Sequence, residues 1–216
     1  MNLIPVKIGI IVFFLIYSVF MFSLFNFRKR INMHYYKPFL LGGGAFLSIF
    51  IIQIPLQRLL VNSLFWNAWS DILKAFLYAS IAGFVQEFFK VFVVFFRKDK
   101  ILSGASAGAG FGFIEATFLL GSVTSFSAIA IVERLFAIIF HISSTSLIMY
   151  GATRKKFFLY YLIISLVHTG VDTIAVMYQM HKIALTPTEV FVAIIASMLF
   201  IISICLYKKR LRTTII

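Results

Sequence analysis

The sequence is poor in charge and in cysteine, and each shortage excludes a class of protein. Only 12% of its 216 residues are charged, while 62% are apolar, and this composition excludes an ordinary soluble domain. The single cysteine, Cys205, excludes an internal disulfide and a metal site built from several cysteines. No polar stretch is long enough to fold by itself, so we expect a single integral membrane domain over residues 1–216.

Apolar segments separated by short polar stretches make up most of the chain. They cover about residues 8–25, 38–56, 71–96, 101–121, 127–150, 157–179 and 189–207. A helix needs about 20 apolar residues to cross a bilayer. Residues 57–70, with Trp66 and Trp69, are expected to form an interfacial loop or a short surface helix. The predicted fold is an all-α, polytopic transmembrane bundle of about seven spans.

The net charge of +13 comes from basic residues clustered between alternate segments. This distribution is typical of membrane topology and argues against nucleic acid as a partner. Clusters such as Arg28-Lys29-Arg30 and Lys208-Lys209-Arg210 share one side, which leaves Lys7, Arg58 and Lys182 on the other. The N-terminus is therefore expected outside and the C-terminus in the cytoplasm. We expect a multi-pass protein of the cell membrane, in the plasma membrane of a bacterium, with the lipid bilayer as its surroundings.

Ionisable side chains lie inside the segments, where each costs on the order of 3 kcal/mol near the bilayer centre. Four of the seven acidic residues do so: Glu87, Glu115, Glu133 and Asp172. Counting about 1.5 Å per residue from the basic ends places Glu87, His141 and His168 at one depth. The other three acids and Arg134 lie closer to the outer face. A carboxylate and two imidazoles at one level predict a functional site.

Two spacings place polar side chains on one helical face. Glu87 and Lys90 form either an intrahelical ion pair or a general base beside a cation. His168 and Asp172 form either a metal ligand oriented by a carboxylate or a polar pair that bonds to neighbouring helices.

Two further motifs have a structural interpretation beside the functional one. Glu133 and Arg134 either form a structural charge cluster with Glu115 or Asp172, or they orient a ligand or substrate. Small residues recur at four-residue spacing at Gly104, Gly108, Gly112 and Ala116. This stripe predicts close approach of another helix, which would hold Glu115 against the core of the bundle.

Taken together, the motifs resemble the YhfC family of intramembrane metalloproteases. The resemblance rests on Gln86-Glu87-x-x-Lys90, Gly108-x-Gly110-x-Gly112-x-x-Glu115, Glu133-Arg134 with His141, and His168-x-x-x-Asp172. The wider grouping contains the CAAX-type prenyl-protein proteases, their bacteriocin-processing relatives and the PrsW-type proteases. CAAX-type enzymes carry the motifs Glu-Glu-x-x-x-Arg and Phe-x-x-x-His. In this sequence the basic residue of the first motif is Lys90, and Ala137 stands at the Phe position of the second. These departures favour the YhfC or PrsW branch.

The resemblance implies a peptide hydrolase that cleaves a membrane-associated protein or peptide, with a catalytic core at about residues 71–180. It implies a zinc ion held by His141, His168 and a carboxylate from Glu115 or Glu87. The remaining glutamate, preferably Glu87, would take the proton from the attacking water. Asp172 would orient His168, Arg134 or Lys90 would stabilise the oxyanion, and Glu133 would act with Arg134.

Three alternatives stay open. In a metal-free protease, Glu87 and His141 would activate water directly, and His168 with Asp172 would form the oxyanion site. A non-catalytic membrane scaffold would keep the polar cluster for structure alone. A proton- or cation-coupled transporter would line a cavity with the same residue types, although the sequence shows no internal repeat of the kind that transporters often carry.

Overall fold

The computed structural model describes residues 4–25, 33–121 and 127–213, which contain helices and no β-strand. The α-helices are α1 (Ile4–Phe25), α2 (Tyr36–Ala45), α3 (Ile54–Val61), α4 (Asp71–Phe92), α5 (Lys100–Gly121), α6 (Ala128–Thr153), α7 (Phe157–Gln179) and α8 (Leu185–Thr213). A π-helical turn, Ile49–Gln53, connects α2 to α3, so these two helices form one passage. The predicted all-α bundle of about seven spans is confirmed.

Several segment ends differ from the prediction, and three of them show how local sequence shifts a boundary. The second passage continues to Val61, so the link expected at residues 57–70 begins as helix and contains a 3-10 turn at Trp66–Ala68. α4 ends at Phe92, because residues 93–96 form turns although the sequence stays apolar. α8 begins at Leu185, since Pro187 is tolerated in a first turn, where a backbone N–H has no intrahelical partner.

Polar contacts at the two ends of the bundle show that the passages alternate in direction. The Tyr35 hydroxyl, just before α2, donates a hydrogen bond of 2.7 Å to Oδ2 of Asp99, just before α5. The Lys182 ammonium, between α7 and α8, lies 2.7 Å from Oδ2 of Asp71 at the start of α4. Each pair joins loops that the basic residues assign to the same side. Which end faces the cytoplasm stays a prediction.

Helix α5 differs from the other passages in its composition. Within the described chain, six passages are long and apolar enough to cross a membrane, and α5 is not among them. It is rich in glycine, alanine and serine, lies against α1, α2 and α6, and is buried from Ile101 to Gly112. Because neighbouring helices shield it from lipid, α5 needs little apolar surface of its own.

The small-residue stripe on α5 allows its close contact with α6. A Cβ atom at Gly108 would lie 2.8 Å from Cα of Ile142, and one at Gly112 would lie 3.0 Å from Cα of Ile138. Since these obstacles are backbone atoms, larger side chains would separate the helices. The predicted close approach is confirmed, and it places Glu115 of α5 beside His141 of α6.

Helix α6 is the centre of the bundle. It begins where the Ser127 hydroxyl accepts a hydrogen bond of 3.1 Å from the backbone N–H of Ala130, which satisfies a free donor of the first turn. Its second half is buried, with Ile138, Ile142 and Ile148 fully covered. It contacts α5, α7 and α8, while α4 packs mainly against α7. Helices α4 to α7 therefore meet, and each carries polar side chains into the centre.

Candidate active site

Glu87 and Lys90 of α4 form an ion pair in the interior. Both side chains are 0% exposed, and the Lys90 ammonium lies 2.7 Å from Oε1 of Glu87. Ammonium groups have three donors, and Lys90 uses its other two toward Nδ1 of His141 at 2.9 Å and Oγ of Ser144 at 3.1 Å. Removing a buried ion from water is expensive unless its charge is paired and its hydrogen bonds are made. Lys90 meets both conditions.

His168 of α7 lies on the other side of Glu87. Its Nδ1 is 2.8 Å from Oε1 of Glu87, and its Nε2 is 3.6 Å from Oδ2 of Asp172. The second contact forms because His168 and Asp172 are four residues apart on one helix and so lie on the same face. His168 is thus held between two carboxylates.

The position of the proton on His141 follows from its two neighbours. Because an ammonium group can only donate, Nδ1 of His141 accepts from Lys90. Its Nε2 then carries the hydrogen and donates to Oε2 of Glu115 at 2.7 Å. Glu115 is also 3.8 Å from Nη1 of Arg134, whose guanidinium group binds both carboxylate oxygens of Glu133. A continuous series of polar contacts thus extends from Lys90 to Glu133.

The structure brings together every residue that the sequence singled out for the site. Glu87, His141 and His168, placed at one depth by counting, are in contact, and the ring centroids of the two histidines lie 5.5 Å apart. Glu115, Asp172, Arg134 and Glu133 surround them. The charge cluster of Arg134 with Glu115 is present. The catalytic and metal-binding roles of all these residues stay predictions.

One group of side chains in the described chain has the geometry of a metal site. Donor atoms of Glu87, His141 and His168 lie within 4.8 Å of one another, and all three side chains are buried. Two imidazoles and a carboxylate are ligands that zinc takes in catalytic sites. Oε2 of Glu87 is buried without a hydrogen-bond partner among the described residues, so a lone pair is available. The donors fit a divalent metal ion.

Glu115 and Lys90 both contact the group of Glu87, His141 and His168, but in different ways. Glu115, the other carboxylate predicted as a ligand, contacts His141 but lies outside the group. The Lys90 ammonium is bonded to Glu87 and to Nδ1 of His141. A metal ion on those same atoms would have to displace it.

A cavity of about 400 Å³ lies in front of the site. Its polar wall includes His141, His168, Glu115, Asp172, Glu133 and Arg134. Glu87 and Lys90 are not among the described residues that line it; they lie behind the two histidines. A molecule that enters the cavity would therefore meet Glu115 and Glu133, but not Glu87.

Several polar residues near the site were not predicted from the sequence. Ser144 completes the hydrogen bonds of Lys90, and its signal was its place three residues after His141 in a polar run of an otherwise apolar helix. Gln53 and Gln57 also line the cavity. Their signal was the four-residue spacing of two amides around Pro55 in an apolar segment.

The fold and site define a multi-pass helical membrane protein with a buried glutamate–histidine centre. The model of the YhfC intramembrane metalloprotease family matches residues 122–196 of this chain, about a third of its length. This range contains α6, α7 and the first part of α8, with both histidines of the centre. The resemblance stated from the sequence is confirmed over this range. Glu87, Lys90 and Glu115 lie before it.

Comparison with curated proteins and with solved structures finds no significant match.

Proposed function

We propose that this protein is an intramembrane metal-dependent protease that cleaves a peptide bond in a membrane-associated protein or peptide. The observation that carries the proposal is the buried group of Glu87, His141 and His168, whose two histidines line a cavity inside the bundle. The family match over α6 and α7, which carry both histidines, supports the same activity. The catalytic part extends over about residues 71–180 of one membrane domain, which we place in a bacterial plasma membrane.

We propose zinc as the metal, with Glu87, His141 and His168 as its ligands. Asp172, next to the second ring nitrogen of His168, would orient that ring. When bound, the metal would supply Lewis-acid polarisation of the scissile carbonyl and activation of water at neutral pH.

Glu115 is the better candidate for the general base, although the sequence favoured Glu87. The Glu115 carboxylate lines the cavity and is oriented by the Nε2–H group of His141. Glu87 is enclosed between Lys90 and His168. Glu115 would take a proton from the water that attacks the peptide carbonyl and return it to the amine as the C–N bond breaks. Arg134, held by Glu133, also lines the cavity and would stabilise the developing oxyanion.

Metal content and cleavage test this proposal separately. Zinc is measured per chain in detergent-purified protein for the unchanged sequence and for His141→Ala and His168→Ala. We expect about one zinc per chain, lost in both variants. New protein N-termini are then profiled in membranes that express the unchanged sequence or Glu115→Gln. We expect N-termini that disappear in the variant. Profiles that stay identical in both Glu115→Gln and Glu87→Gln would contradict the protease.

The alternatives give different results in the same experiments. A metal-free protease would contain no zinc and would still produce new N-termini, which would disappear in Glu87→Gln. A scaffold or a transporter would produce none, and only the transporter would accumulate a solute in reconstituted vesicles.

A further inference from the structure

Three glutamines form a hydrogen-bonded relay along the cavity wall. Nε2 of Gln57 donates to the backbone carbonyl of Tyr78 at 3.1 Å, Nε2 of Gln53 reaches Oε1 of Gln57 at 3.5 Å, and Nε2 of Gln86 donates to Oε1 of Gln53 at 3.0 Å. The glutamine side chains are 4–8% exposed, and all three line the same cavity as His141 and Glu115. The relay joins α3 and the π-helical turn to α4.

The Tyr78 carbonyl determines the direction of the whole relay. A carbonyl only accepts, so the amide group of Gln57 must face it and the oxygen of Gln57 must face Gln53. In the same way, the oxygen of Gln53 faces Gln86, so the amide group of Gln86 must face Gln53. The free end of the relay is therefore an acceptor, Oε1 of Gln86, and it is buried without a partner among the described residues. Leaving a buried acceptor unpaired is unfavourable, so a donor from a ligand would be favoured there.

An irregular stretch of backbone lies at the relay, beside the site. The π-helical turn Ile49–Gln53 and Pro55 interrupt the helical passage at Gln53, and such turns are frequent at functional positions. Gln86 directly precedes Glu87, the proposed metal ligand.

Another part of the cavity wall is apolar. Phe46, Phe50 and Phe118 line it as a cluster, with ring centroids 5.2–5.6 Å apart. A ligand that matches this wall offers a hydrogen-bond donor to Gln86 and apolar groups to the rings. An extended apolar peptide segment has both, since each backbone N–H is a donor.

We propose that Oε1 of Gln86 accepts a backbone N–H of an extended, apolar peptide substrate and so positions that substrate in the cavity. The inference rests on the proposed function, because it assumes a peptide substrate. Gln53 and Gln57 act as positioning residues that keep the acceptor of Gln86 directed at the peptide.

The test measures binding, so that it does not depend on turnover. The probe is a doubly capped apolar tripeptide, compared with analogues in which an ester replaces each backbone amide in turn and removes one N–H. Affinities are measured in detergent with full-length protein carrying Glu115→Gln, so that the probe is not cleaved. Gln86→Met removes the acceptor at similar volume. The control Gln179→Met makes the same change at another cavity residue outside the relay.

We expect one ester analogue to bind roughly tenfold more weakly than the amide, as the loss of a single hydrogen bond to a buried acceptor would give. Gln86→Met should abolish this preference, and Gln179→Met should keep it. An equal amide preference with Gln86→Met, or no binding of any probe, would overturn the inference. If the preference is present but no Glu115-dependent N-termini are found, the protease proposal fails while the peptide site stands. The reverse result rejects the Gln86 site alone.

Discussion

Replacing Lys90 by methionine tests whether a metal ion binds at the position that the Lys90 ammonium occupies. The substitution keeps an unbranched side chain of similar size, so packing against Phe111 should change little. It removes the cation that contacts Glu87, His141 and Ser144. Glu87 then carries an uncompensated charge at 0% exposure.

The size of the effect follows from the burial of the ion pair. Breaking a buried ion pair by removing one partner costs about 3–5 kcal/mol, so without metal Lys90→Met should unfold far more readily than the unchanged protein. A divalent ion can then occupy the vacated position beside Glu87 and His141 without competition from the ammonium. At a zinc concentration 100 times its Kd, binding adds about 2.7 kcal/mol of stability. Zinc should therefore restore most of the loss.

The assay is unfolding of the detergent-solubilised protein with EDTA or with zinc, monitored by circular dichroism. Glu87→Gln together with Lys90→Met is the matched control, because it removes both charges and leaves no excess charge to compensate. We expect the largest zinc stabilisation in Lys90→Met and little in the double variant. If zinc stabilises Lys90→Met no more than the unchanged protein, the ion does not bind where the ammonium lies.

Three further predictions concern separate parts of the molecule. Gly108→Val should destabilise by about 3 kcal/mol or more, because its Cβ meets backbone of α6, whereas Gly44→Ala, with nothing within 4 Å, should be neutral or slightly stabilising in chemical unfolding. Glu115→Gln should keep bound zinc while losing cleavage, and His168→Ala should lose both; loss of zinc from Glu115→Gln would make Glu115 a ligand. Asp71→Asn should leave stability nearly unchanged, because its ion pair is largely solvated, and a clear loss would show that this end of the bundle depends on it.

The depth of the site in the bilayer was predictable because an α-helix has a fixed rise per residue. Counting from the basic ends was enough to bring Glu87, His141 and His168 to one depth, and the side chains at that depth are in contact. The sequence did not predict their mutual orientation. The reach of Lys90 to His141 depends on how α4 and α6 are rotated about their axes, and spacing within one helix does not determine that rotation.

The glutamine relay was not predictable for a different reason. Gln53 and Gln57 face the cavity only because the π-helical turn and Pro55 change the helical register within the second passage. Hydropathy treats that passage as one uniform segment. The burial of α5 was partly predictable, since its small-residue stripe indicated a close helix contact, although its partner α6 was known only from the structure.

The charge of the whole centre favours a bound divalent cation over a purely structural cluster. Four carboxylates, those of Glu87, Glu115, Glu133 and Asp172, stand against the two basic side chains of Lys90 and Arg134. His141 cannot supply a further positive charge while its Nδ1 accepts from the Lys90 ammonium. A proton on His168 would compensate one of the two excess negative charges and leave the other. Uncompensated charge in a helical bundle is expensive. A divalent ion at the donors of Glu87 and the two histidines would remove it if the ammonium that it displaces stays within the centre.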